Sequence, residues 1–188
     1  MFHVKHSLPA WLKFQDLLRV YGAALDLTGP GLNLDQQWEI ATAVAEFVPR
    51  GARVGDLGAG AGLPGIPLAV QRPDVQVLLV ERRERRAVFL RRATGELGLG
   101  NVEIFAGSAE SFRGNPVDVL VAQRVGRLRM VWRASRRLLA NSGRIVTIRG
   151  AGYEREVEEL NQQGAEARLV GEREVGEARV IAVDWRRR

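Results

Sequence analysis

Cysteine is absent from the 188 residues, which removes thiol nucleophiles, disulfides and thiolate metal sites together. Histidine is nearly absent too: the only two, His3 and His6, lie at the start of the chain, where termini usually fray. Zinc chemistry and histidine-based triads have no residues to work with, and no metal site is expected. Lysine is limited to Lys5 and Lys13, so arginine supplies almost all of the 28 basic residues. No stretch of about 18 uncharged apolar residues occurs, so no spanning helix and no membrane partner are expected. The opening Met1-Phe2-His3-Val4-Lys5-His6 lacks the apolar run of a secretory signal, which predicts a cytoplasmic chain. There is no internal repeat and no low-complexity linker.

What is present suits an ordinary folded protein: 46% hydrophobic and 27% charged residues, enough to build a core. The length predicts one domain over residues 1–188, acting as a monomer. The 28 basic residues outnumber 22 acidic ones for a net charge of +6, which favours a polyanionic partner such as nucleic acid. A GC-rich genome would give the same arginine bias with no nucleic acid involved.

Apolar periodicity divides the chain near residue 50. Before it, Trp11, Phe14, Leu17, Leu18 and Tyr21 recur at helical spacing up to the Thr28-Gly29-Pro30-Gly31 break, and a second helix is predicted over 36–47. After Pro49-Arg50-Gly51, short apolar runs alternate with amphipathic segments. Strands are predicted at 54–57, 75–81, 102–106, 117–122 and 143–148, and helices at 64–71, 82–97, 129–139 and 153–162, with Asn141-Ser142-Gly143 as a turn. That alternation predicts an α/β fold with a mostly parallel, Rossmann-like sheet over 51–188 under an N-terminal helical cap over 1–50. The runs at 167–172 and 180–185 have no helix between them and predict a C-terminal antiparallel hairpin. That feature separates a class I methyltransferase sheet from a nicotinamide Rossmann domain, whose strands continue parallel.

The strongest local signal is Asp56-Leu57-Gly58-Ala59-Gly60-Ala61-Gly62-Leu63-Pro64-Gly65, placed where the first strand ends and a helix begins. Glycines here let a ligand approach the backbone and permit positive φ, and Pro64 suits the first turn of a helix. Gly60 to Gly65 also satisfies the dinucleotide pattern G-x-G-x-x-G. Asp56 tips the reading: an anion before the first glycine suits the amino group of S-adenosyl-L-methionine, directly or through water, better than a pyrophosphate. Glu81, closing the second strand, can accept both ribose hydroxyls of either nucleotide. Ala109 and Glu110, after the third strand, are placed to border adenine, or to be an ordinary exposed loop.

These residues carry a resemblance to the 16S ribosomal RNA guanine-N7 methyltransferases, the small-subunit methyltransferase G family, also called glucose-inhibited division protein B. The segment from Asp56 to Gly65 with Ile66-Pro67-Leu68-Ala69 is similar to that family's cofactor motif. Phe89-Leu90-Arg91, Glu96-Leu97-Gly98-Leu99 with Asn101-Val102, and Leu138-Leu139 with Gly143-Arg144-Ile145-Val146 resemble its following elements. The opening hexapeptide resembles the start of many members. The resemblance implies methyl transfer from S-adenosyl-L-methionine to guanine N7 of 16S ribosomal RNA, free or within the small ribosomal subunit. It implies a donor site of Asp56, Gly58, Ala59, Gly60, Gly62, Leu63, Glu81, Arg82, Ala109, Glu110 and Arg124, with Arg124 and Arg149 in the catalytic role.

The chain departs from the family where substrate should bind. The Asn-Leu-Thr and His-x-x-Asp-Ser stretches are missing; Ser108 replaces an arginine before Ala109-Glu110; Gln123-Arg124-Val125 replaces Ser-Arg-Ala; and Arg149 replaces a lysine, a change that keeps charge but not donor geometry. A non-catalytic RNA-binding protein that kept the donor pocket, and a methyltransferase with another RNA target, are the alternatives. A nicotinamide oxidoreductase is a third. Two arginine groups are candidate RNA contacts, either of which can equally be a solvated face: Arg82, Arg83, Arg85, Arg86, Arg91 and Arg92, and Arg127, Arg129, Arg133, Arg136 and Arg137. Arg186-Arg187-Arg188 reads as a flexible tail. Trp11, Phe14, Trp38 and Phe47 are expected in packing, not base stacking.

Overall fold

A computed structural model describes residues 4–187 except 28, 30 and 151; Met1 to His3, Thr28 and Arg188 lie outside the described residues. Two helices come first, α1 (Val4–Tyr21) and α2 (Leu34–Glu46). They are followed by β1 (Arg53–Leu57), α3 (Gly65–Gln71), β2 (Gln76–Glu81), α4 (Glu84–Leu97) and β3 (Val102–Ala106). A 3-10 turn (Ala109–Ser111) then leads to β4 (Val117–Ala122), α5 (Leu128–Ser135), β5 (Leu139–Arg149), α6 (Tyr153–Gln162), β6 (Ala165–Val175) and β7 (Ala178–Arg187).

The seven strands form one sheet in the order β3-β2-β1-β4-β5-β7-β6. β1 to β5 run parallel, while β7 is antiparallel to both β5 and β6. The predicted hairpin is present, with β7 inserted beside β5 so that β6 becomes the edge. Central strands are apolar runs because both faces are covered: Val77, Leu78, Leu79 and Val80 are all buried. Alternation then sends Val54, Val77, Leu79, Val119 and Val121 to the face covered by α1 to α4. Leu57, Leu78, Val80, Leu120 and Ile145 face α5, α6 and the 3-10 turn. Trp11 and Phe14 are buried on the first face, and Trp38 packs on Trp11 with ring centroids 5.1 Å apart, as packing aromatics should.

A buried arginine fixes α2 against the sheet layer. Arg72 donates from Nη1 to the carbonyls of Ala45 (3.0 Å) and Val48 (2.9 Å), and from Nη2 to that of Pro49 (3.1 Å). Its Nε pairs with Asp74 at 2.7 Å. The guanidinium thus satisfies carbonyls that a helix leaves unpaired at its C-terminus, and it holds the Asp74 carboxyl down at about 2. At the other end Asn33 caps α2, its side chain accepting the Gln36 N–H at 3.1 Å.

Three local expectations are corrected. The helix predicted over 129–139 stops at Ser135, because Leu139 already pairs with Val117 of β4. Asn141-Ser142-Gly143 is not a turn before the fifth strand but an irregularity inside it: β5 runs on from Leu139 to Arg144 while β4 advances only from Val117 to Val119, and Gly143 pairs with Trp185. The basic C-terminus is not a free tail, since Arg186 lies in β7, opposite Ser142 and Glu166.

Candidate functional site

Strand order reverses between β1 and β4, and above their C-terminal ends opens a cleft of about 490 Å³. That crevice is where open α/β sheets bind ligands, and its size is that of a small-molecule site. Of the predicted donor-site residues it collects Gly58, Ala59, Gly60, Leu63, Glu81, Arg82, Ala109, Glu110 and Arg124 along its wall. Asp56, Gly62 and Arg149 do not line it.

The three exceptions have physical reasons. Asp56 points to the α3 side of β1, is 1% exposed, and accepts the Gly65 N–H at 3.0 Å. Gly65 lies so close that a Cβ on it would stand 2.6 Å from Asp56 Oδ2 and 2.5 Å from Leu79 Cδ2; the glycine is there for the approach of α3 to the sheet. Burial raises the Asp56 carboxyl to about 7, with the Gly65 N–H opposing and nearby Glu81 adding to the rise. The carboxyl therefore anchors the loop from beneath and is not part of the cleft wall. Gly62 turns inward as well, with φ +85 and a would-be Cβ 2.5 Å from Ile66 Cδ1. Gly58 and Gly60 also take the predicted positive φ.

Arg149 ends β5 beside the loop that follows β4. Its Nη1 donates to the Gly126 carbonyl at 2.5 Å, and its Nε lies 4.0 Å from Glu156, which itself accepts the Leu128 N–H at 2.5 Å. Burial lowers the guanidinium below the ordinary arginine range, with Glu156 opposing. The pair brackets residues 126–128, so Arg149 positions a loop and does not enter the cleft. On that loop Arg124 is exposed at the rim with φ +59, a left-handed conformation rare for a residue with a long side chain.

Glu81 is the buried acid of the cleft wall. One carboxylate oxygen accepts the Gly60 N–H at 2.9 Å and the other the Arg83 N–H at 2.8 Å. These contacts fix the carboxylate between the glycine loop and the start of α4. Each oxygen retains a second lone pair for a ligand hydroxyl.

The cleft has a further wall that, apart from Arg86 as a candidate RNA contact, sequence patterns did not single out. Leu27 and Leu32 from the α1–α2 connection, Gln37 of α2 and Arg86 of α4 line it. Arg86 donates to both the carbonyl and the carboxylate of Asp26, tying the connection to α4. Gln37 is 3% exposed and its Oε1 has no hydrogen-bond partner. Neither residue belongs to a motif; a polar residue on the apolar face of α2 was the only signal available for Gln37. Glycine loop, ribose-type acid and a buried carboxamide with an unpaired oxygen together fit a nucleoside bearing a polar tail, which is what S-adenosylmethionine is.

Sheet order, the antiparallel seventh strand and this cleft define a class I methyltransferase. Solved structures share the fold: a SAM-dependent methyltransferase from Aquifex aeolicus (TM-score 0.63, 17% identity, 92% of this chain and 97% of that one), and M. jannaschii TYW2 in complex with AdoMet (TM-score 0.61, 19% identity, 87% and 81%). The particular family follows from sequence. The profile of GidB, described as rRNA small subunit methyltransferase G, matches residues 8–173. Proteins named "Ribosomal RNA small subunit methyltransferase G" are similar throughout: that of Thermobifida fusca is 36% identical over 167 residues, 86% of this chain and 70% of the relative. That of Leifsonia xyli is 35% identical over 176 residues, 88% and 84%. The chain belongs to the small-subunit rRNA methyltransferase G family.

Proposed function

We propose that this protein transfers a methyl group from S-adenosyl-L-methionine to N7 of a guanine in 16S ribosomal RNA, free or in the small subunit, as a cytoplasmic monomer in which residues 1–188 act as one unit. The observation that carries the reading is the cleft at the β1–β4 reversal, with buried Glu81 held between the glycine loop and the start of α4 and with Ala109–Glu110 lining the same cleft. Glu81 is the acceptor for the ribose hydroxyls, Gly58 to Gly60 the surface against the sulfur-bearing chain, and Ala109 with Glu110 the border of adenine. When bound, S-adenosylmethionine supplies an electrophilic methyl group.

The demands on the chain's other groups are modest. Guanine N7 carries its own lone pair, so no strong base is required, and alignment is the main task. Arg124, exposed at the cleft rim, is the donor for guanine O6 or an adjoining phosphate. Arg149 keeps its place in the reaction only as the residue that positions the Arg124 loop. No helix among the described residues is long and apolar enough to cross a membrane, and they contain no group of three or more His/Cys/Asp/Glu that could hold a metal ion.

Calorimetric titration with S-adenosylmethionine, S-adenosylhomocysteine and NADH tests the donor half. Binding of the first two and not the third is expected. Binding of NADH alone overturns the reading in favour of an oxidoreductase.

A further inference from the structure

With Asp56 sealed beneath the loop and outside the cleft wall, a direct partner for the donor's amino group has to come from elsewhere. Gln37 is the vacant acceptor in the cleft wall. Its side chain is 97% withdrawn from solvent and Oε1 makes no hydrogen bond, a state that folded proteins avoid unless something else completes it. Nor is the side chain on a loosely held element. Asn33 caps α2, Arg72 clamps its C-terminal carbonyls, and the neighbouring Gln36 donates from Nε2 to the Val175 carbonyl at 3.3 Å.

That last contact fixes where Gln37 stands. Val175 ends β6, at the opposite end of the strand order from β3, whose following turn carries Ala109 and Glu110. Glu81, at the end of β2, lies on the β3 side of the cleft. A ligand with adenine at Ala109–Glu110 and ribose at Glu81 therefore presents its other end toward Gln37. In S-adenosylmethionine that end is an α-ammonium beside a carboxylate. A carboxamide matches the pair: oxygen accepts from the ammonium, nitrogen donates to the carboxylate, and a neutral side chain repels neither.

Resting on the donor reading above, we propose that Gln37 binds the aminocarboxylate end of the methyl donor, Oε1 accepting from the ammonium. The test is calorimetry on Gln37→Met with two probes, S-adenosylhomocysteine, which has that end, and 5′-methylthioadenosine, which lacks it. The variant should bind S-adenosylhomocysteine about tenfold more weakly, the loss expected for one hydrogen bond to a charged group, and bind methylthioadenosine as the wild type does. Its unfolding midpoint should be unchanged or higher, since a buried amide oxygen without a partner has been removed. Gln37→Leu, of similar size, should show the same split. Equal weakening of both probes, or no weakening of either, overturns the proposal. A wild-type protein that binds neither probe overturns the donor reading itself, and with it this assignment.

Discussion

Asp56 keeps its proton to about pH 7 because the folded chain buries it, whereas the unfolded chain releases it near 3.8. Between those values the folded state holds more protons than the unfolded state, so this group makes stability fall as pH rises. Below pH 4 both states are protonated, and above pH 7 both are ionised, so the contribution is flat outside that window. Asp56→Asn keeps an acceptor for the Gly65 N–H and abolishes the charge. The variant should gain on wild type progressively from pH 4 to 7, by on the order of 2–4 kcal/mol at the plateau, while donor affinity stays unchanged. Chemical denaturation across that range checks it; a difference independent of pH would contradict the account. Glu81 was legible from its place at the end of a strand after a glycine loop. The true position of Asp56 was not, because the same spacing serves a residue facing into the cleft and one facing under the loop.

Helices α4 and α5 both carry arginines, and sequence alone leaves both as candidate RNA surfaces. Pairing separates most of them, although Arg82 and Arg85 are exposed without an ion pair among the described residues. On α4, Arg86 pairs with Asp26 at 3.0 Å, Arg91 with Glu84 at 3.1 Å and Arg92 with Glu96 at 2.8 Å, and Arg92 also covers the Tyr21 ring. Around α5, Arg124, Arg127, Arg129, Arg133 and Arg137 are exposed with no ion pair among the described residues, beside the cleft rim. Reversing two charges on α5 (Arg129→Glu with Arg133→Glu) should weaken 16S RNA binding and flatten its salt dependence, by about 0.7–0.9 in log–log slope per lost phosphate contact. Reversing Arg91 and Arg92 should do less, and equal losses would contradict the assignment. Electrophoretic mobility shifts over a salt series measure both. Element types and order were readable because strands covered on both faces are apolar runs. The start of β5 and the fate of Arg186 were not, since both depend on pairing with distant strands.

At the scale of the molecule, seven strands ordered 3-2-1-4-5-7-6 place one crevice at the reversal between β1 and β4. One wall of the cleft comes from the glycine loop, β2 and the turn after β3; another comes from α2 and the connection before it. A motif on contiguous residues is visible in sequence, whereas a wall assembled from Gln37, Leu27 and Leu32 exists only once α2 has been clamped by Arg72. The net charge of +6 is consistent with a polyanionic substrate and steers its approach. The most direct test is transfer of labelled methyl from S-adenosylmethionine to small-subunit ribosomal RNA, followed by borohydride and aniline cleavage, which cuts at N7-methylated guanine. A single label-bearing cleavage in the 16S RNA is the predicted result; donor binding without label transfer, or label on RNA that resists this cleavage, would contradict it.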